Sequence, residues 1–284
     1  MNRLFAIIFV IAGLAISFPP LGNSQEEPDE IEESGPRLSA EEARRILAEE
    51  LSPGASRQQQ VEYYLRRERA AFTVGNAAIR IDTLRRLVSL TEAPDKFSPY
   101  LFALWQELWR YGNQTEALEI GESLVRHPAA TLQQRITFTV LLGRNYAALG
   151  NLERAAELLK KVEAEGKDLR DTRGPHMIAY TAIHTESLRA TVLHAQGDPE
   201  GALAAIRRAL EASHAEVERS RAAAGSSRTD LEYDSAIRTR NSVMSTAVWL
   251  YFTQGRNEEA EGTARLGLRL AADERTGGGT VSLW

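Results

Sequence analysis

The stretch Leu142-Gly-Arg-Asn-Tyr146-Ala-Ala-Leu-Gly150-Asn-Leu-Glu-Arg-Ala155-Ala-Glu-Leu-Leu159 decides how this chain folds. Apolar residues recur at helical spacing on both sides of Gly150, and the glycine stands where one helix must stop and another begin. The unit recurs. Gly75, Gly112, Gly150, Gly197 and Gly255 are each followed by a polar residue: Asn76, Asn113, Asn151, Asp198 and Arg256. Four residues before each glycine stands Ala71, Leu108, Tyr146, Leu193 or Tyr251. Five residues after it stands Ala117, Ala155, Ala202 or Ala260, with Arg80 as the exception. Twelve residues after it come Leu87, Leu124, Val162, Ala209 and Gly267.

Two antiparallel helices joined by a tight turn approach closely beside it. A small residue early in the second helix permits that approach, and a large apolar residue in the first fills the gap. Each pair leaves an apolar face that only a neighbouring pair covers, so such hairpins stack. Capping boxes mark helix starts at Ser39-Ala-Glu-Glu42, Ser56-Arg-Gln-Gln59 and Thr131-Leu-Gln-Gln134. The first predicts a helix to about Leu51, the second a helix to about Thr73. No segment keeps a period of two, so no sheet is expected.

The Leu142–Leu159 stretch closely resembles the tetratricopeptide repeat signature. Gly197-Asp-Pro-Glu-Gly-Ala202-Leu203, Gly112-Asn-Gln-Thr-Glu-Ala117-Leu118 and Gly255-Arg-Asn-Glu-Glu-Ala260 resemble further, weaker units. The resemblance runs from about Gln58 to Ala272. It implies an all-α, right-handed α-solenoid of about five helix hairpins. The family repeats every 34 residues or so, but the glycines here lie 37, 38, 47 and 58 apart. The extra residues fall at Gly166–Pro175 and Ser213–Asp234, so the superhelical pitch is expected to be irregular.

By the same resemblance, the first helix of each pair lines a concave groove for a protein or peptide partner. The positions carried over are Glu62, Leu65, Arg69 and Phe72; Phe102, Gln106, Trp109 and Arg110; Val140 and Arg144; His184, Ser187, Thr191 and His194; and Ser242, Ser245, Trp249 and Phe252. One stripe position is aromatic in four of the five units, as Phe72, Trp109, His194 and Phe252. Aromatic and arginine side chains are common interface anchors. The other reading of Trp109 and Trp249 is packing between neighbouring helices. The basic clamp that some members use on C-terminal carboxylates is not reproduced, so recognition of a chain terminus is not expected.

The ends read differently. Arg3, the apolar run Leu4–Phe18, Pro19-Pro20 and the small residues Gly22 and Ser24 read as a secretory signal with cleavage after Ser24. A periplasmic or secreted location follows, and membrane attachment would come only through an uncleaved signal. Residues 25–38 read as an acidic linker, 39–273 as the repeat domain and 274–284 as a flexible tail. Without Arg3 the 34 basic residues fall to 33. Without the six acids of the leader the 39 acidic residues also fall to 33. A neutral body exerts no long-range pull on phosphate backbones, so nucleic acid is not an expected partner.

Catalytic motifs are missing from the sequence. There is no cysteine, and the five histidines (His127, His176, His184, His194, His214) form no metal-binding pair flanking a glutamate. No Gly-x-Ser-x-Gly elbow occurs, and the glycine-rich Thr276–Thr280 lacks the lysine of a phosphate loop. Gly225-Ser-Ser227 reads as a loop between helices. No cofactor, metal or catalytic residue is expected. The favoured expectation is a non-catalytic interaction scaffold. The alternatives are the repeat or sensor region of a larger enzyme or signalling protein, and a hydrolase of unfamiliar type.

Overall fold

The computed structural model describes residues 38–91, 98–168, 174–223 and 227–276, and every regular element among them is an α-helix. In order these are α1 (Ala40–Ala48), α2 (Arg57–Thr73), α3 (Ala77–Thr91), α4 (Pro99–Arg110), α5 (Gln114–Arg126), α6 (Leu132–Ala148), α7 (Leu152–Asp168), α8 (Pro175–Ala195), α9 (Pro199–Ala223), α10 (Ser227–Thr253) and α11 (Asn257–Thr276). The protein is an all-α repeat structure, and its described residues fall into two compact units, 38–135 and 136–276.

One hydrogen-bonded joint recurs in all five hairpins. Gly75, Gly112, Gly150, Gly197 and Gly255 have φ between 68° and 86°, a conformation open mainly to glycine. The residue after each glycine donates its backbone N–H to the carbonyl four residues before that glycine. These bonds are Asn76 to Ala71, Asn113 to Leu108, Asn151 to Tyr146, Asp198 to Leu193 and Arg256 to Tyr251, all at 2.9 Å. The glycine N–H bonds the carbonyl three residues back, at 3.0–3.4 Å. Together they form a Schellman motif, which satisfies carbonyls that the helix end would leave open.

The residue after each glycine also starts the next helix. Its carbonyl accepts the first helical N–H, from Arg80, Ala117, Ala155, Ala202 or Ala260. Asn76, Asn151 and Asp198 add a side-chain oxygen that accepts an N–H three residues on. The four alanines are fully buried. The three capping boxes form as their residues dictate, at Ser39–Glu42, Ser56–Gln59 and Thr131–Gln134.

In the 38–135 unit, consecutive helices from α1 to α5 pack on one another. Ala43 and Ile46 of α1 meet Ala70 of α2. Tyr63 and Arg67 of α2 donate to the carbonyls of Glu49 and Leu47, which the end of α1 leaves open. In the 136–276 unit, consecutive helices from α7 to α11 pack together, and α8 also meets α10. Its main core is rich in alanine, with Ala190, Ala202, Ala205, Ala209, Ala247, Ala260 and Ala264 beside Ile183, Leu203, Ile206, Val248 and Leu250. Gly143 of α6 lies so close to Leu188 of α8 that an added Cβ would stand 2.9 Å from the Leu188 Cδ1.

Some bounds differ from those read in the sequence. The helix opened by Ser39 ends at Ala48, short of Leu51. The extra residues between the later hairpins are mostly helix, since α7 continues to Asp168, α9 to Ala223 and α10 begins at Ser227. The cause in α9 is a buried stripe at spacings of three and four: Ala209, Ser213, Glu216, Val217 and Ser220. Val217 meets Ala236 and Ile237 of α10, so the added turns have a partner to cover them. The last helix runs to Thr276, three residues beyond the expected end of the repeat domain at 273. The signal, the acidic linker up to residue 37, Gly225, Ser226 and residues 277–284 lie outside the described residues.

Two glycine substitutions should act with opposite signs. At Gly150 an added Cβ meets nothing within 4 Å, so Gly150→Ala adds only left-handed backbone strain, about 1–2 kcal/mol. Gly262→Ala, on the exposed side of α11 with equal space around it, should stabilise by up to about 1 kcal/mol. Urea melts followed by circular dichroism would show both shifts.

Candidate functional site

In the 136–276 unit the first helices of successive hairpins, α6, α8 and α10, carry the residues of interest. Pro175 sets the first turn of α8, where a missing N–H costs nothing. The helix is buried around most of its circumference, so its polar residues need partners inside the fold. Thr181, Thr185 and Thr191 donate their hydroxyls to carbonyls four residues back in α8 itself. The expected groove residue Thr191 is therefore buried with its hydroxyl bonded to its own helix.

Towards α6, Tyr180 and Thr137 share a hydroxyl hydrogen bond of 2.5 Å. Two turns on, Arg144 donates through Nη2 to the Ser187 Oγ, also at 2.5 Å. His184 lies between these contacts along α8. It is 4% exposed, and its ring stands edge-on to Tyr180 at 4.3 Å. Neither ring nitrogen has a hydrogen-bond partner among the described residues, nor has the Arg144 Nε. Burial, and then the charge of Arg144, pushes the His184 pKa down to about 3, so the imidazole is neutral at ordinary pH. Burial alone lowers the Arg144 pKa to about 10, which leaves it charged.

Towards α10, His194 meets Trp249 edge-on at 5.0 Å, and the Thr253 Oγ1 lies 3.4 Å from the His194 Nε2. Trp249 is 43% exposed, while Phe252 is half-buried against the main core. Burial lowers the His194 pKa.

The expected groove residues of the 38–135 unit are placed differently. Phe72 is 49% exposed, with the Arg80 guanidinium 4.4 Å above its ring. Phe102 packs edge-on against Trp105 at 5.7 Å. Arg69, Gln106 and Trp109 are half-buried. Arg110 binds Glu107 at 2.7 Å, so its charge already has a counter-ion. The sequence reading named one residue of that pair and passed over the more buried one. Glu107 is 3% exposed and also receives Arg80 at 2.8 Å, while Arg80 reaches Glu68 at 2.6 Å. Arg80 is the one position where the repeat lacks its alanine, and that departure was the available signal.

A second charged cluster lay outside the sequence reading. His176 and Arg219 both bind the buried Glu216, at 2.7 and 2.6 Å. Burial raises the Glu216 carboxyl, but the hydrogen bonds from Arg219 and His176 outweigh it and hold the pKa at about 2. Among the described residues, no group of three or more His, Asp or Glu side chains could hold a metal ion. No helix among them is long and apolar enough to cross a membrane.

The family model for the tetratricopeptide repeat matches residues 137–161 and 183–208, the α6–α7 and α8–α9 hairpins. Comparison with curated proteins returned no match. Repeats of this kind generally mediate protein–protein interaction, on a fold that is typically a non-catalytic scaffold.

The buried charges should dominate stability. Arg80→Ala strips one of two counter-ions from buried Glu107 and should cost about 3 kcal/mol. Arg85→Ala breaks the more exposed pair with Glu116 and should cost under about 1 kcal/mol. Urea midpoints of the two variants compare them directly. His184 is neutral in the folded chain down to about pH 3, but titrates near 6.5 when unfolded. It therefore takes up a proton only on unfolding. Stability tied to it is intact above pH 6.5 and falls as pH drops towards 3, with a slope approaching about 1.4 kcal/mol per pH unit. Between pH 7 and 4.5, His184→Gln should flatten the decline of the urea midpoint relative to the parent protein. Parallel declines would refute this.

Proposed function

The chain is a tetratricopeptide-repeat-like protein, and on that premise we propose that it is an interaction scaffold. It holds an extended segment of a partner protein on the α6–α8–α10 face of the 136–276 unit. The observation that carries this reading is Trp249. A large indole stands 43% exposed on the first helix of its hairpin, braced by His194. Aromatic side chains held rigid at a surface supply large contact area at small entropic cost, and such residues dominate interface energies.

Phe72 offers a comparable exposed ring in the 38–135 unit, fixed beneath Arg80. The same proposal places the mature protein in the periplasm or outside the cell. Its support is the sequence of Arg3 and Leu4–Phe18.

Capture of partners from an envelope extract, followed by mass spectrometry, tests the reading. Trp249→Ala should weaken capture of a recovered partner at least about tenfold. The helical circular dichroism signal and melting temperature should stay close to those of the parent, because the ring is not core. Unfolding of the variant would place Trp249 in the packing and remove the reading. Trp109→Ala, at a half-buried site, should cost more stability than Trp249→Ala.

A further inference from the structure

We propose that Arg144, with Ser187 and His184 behind it, receives the side-chain carboxylate of an Asp or Glu in the bound partner segment. This rests on the scaffold reading and specifies the chemistry of the partner. Many arginines of the fold meet an acid of the chain itself: Arg80, Arg85, Arg110, Arg189, Arg208 and Arg219 each bind a glutamate. Arg144 binds only the neutral hydroxyl of Ser187, and its Nε has no partner among the described residues. A cation drawn out of water without a counter-ion is costly, and an arriving anion recovers that cost.

The surroundings fit a carboxylate. Ser187 is fully buried and accepts from Arg144, which leaves the hydroxyl proton available to donate. His184 lies three residues before Ser187, on the same side of α8. It is 4% exposed, with both ring nitrogens unpartnered among the described residues, so it holds one N–H donor and one acceptor in reserve. It brings no second positive charge. One guanidinium matches one carboxylate charge, whereas a doubly charged phosphate would leave an excess negative charge in a desolvated place. Arg144 keeps part of its surface in solvent, although its Nε is buried.

Position along α8 gives a spacing. Ser187, which Arg144 touches, and His194 are seven residues apart, about 10 Å of helix. Trp249 meets His194 edge-on. An extended segment covers about 10 Å in roughly three residues. The partner therefore carries an acidic residue about three positions from a large apolar or aromatic one.

The test uses a phage-displayed library of random linear peptides, panned on the full chain, with enriched peptides synthesised for titration. The expected sequences carry Asp or Glu at that spacing from an apolar residue. Changing the acid to its amide should weaken binding at least about tenfold to the parent protein, and little to Arg144→Met. Arg144→Lys, which keeps the charge and loses the fork, should fall between the two. Ser187→Ala serves if Arg144→Met does not fold, and should lose affinity only for acid-bearing peptides. Enriched peptides that need Trp249 but lack an acid, or bind Arg144→Met as well as the parent, overturn this inference and leave the scaffold reading standing. A library that yields no binder overturns both.

Discussion

The joint between paired helices is the constraint on which the rest of the molecule depends. Each contains one glycine in the left-handed region, one carbonyl four residues earlier and one N–H a residue later. The same six-residue arrangement closes one helix and opens the next. Because its backbone bonds are fixed, the angle and separation of the paired helices are fixed near the turn. The buried alanine five residues after the glycine is then a steric consequence, since the two backbones are already close there. In the 136–276 unit that closeness extends into an alanine-rich core, and Gly143 carries it to the contact between α6 and α8.

Close packing changes the terms on which polar groups survive. A helix buried around most of its surface, as α8 is, cannot rely on water to satisfy its side chains. Its threonines turn back onto their own helix, and Tyr180 finds Thr137. Glu107 and Glu216 are buried but each holds two cationic or histidine partners. Apart from the Glu107 Oε2, these groups are answered from within the chain. They specify how neighbouring helices sit and leave little for a ligand to gain.

Arg144 and His184 are the contrast. They occupy the same kind of environment without an acid to answer them. Three such open atoms gathered beside a partly exposed arginine are a functional signal, because the fold gives up stability to keep them. The exposed indole of Trp249 is the apolar counterpart, a large ring on the first-helix row that the core does not take in. An acidic group and an apolar side chain on one extended segment would satisfy both at once.

The sequence alone determined the hairpins. A glycine, the polar residue after it and the alanine beyond act within a few residues, so their spacing is visible in one dimension, and the three capping boxes are local in the same way. It also marked a first-helix row, including Arg144, His184, His194 and Trp249. It could not sort that row. Whether Glu107 is buried beneath Arg80, Ser187 meets Arg144, or Phe252 is drawn into the core depends on which distant helix lies opposite. The inserted residues around Ser213–Asp234 became helix for the same reason, since α10 covers the stripe that α9 extends. Local hydrogen bonding wrote the joints into the sequence. Burial and the pairing of charges across helices were decided only by the tertiary structure, because both depend on neighbours tens of residues away.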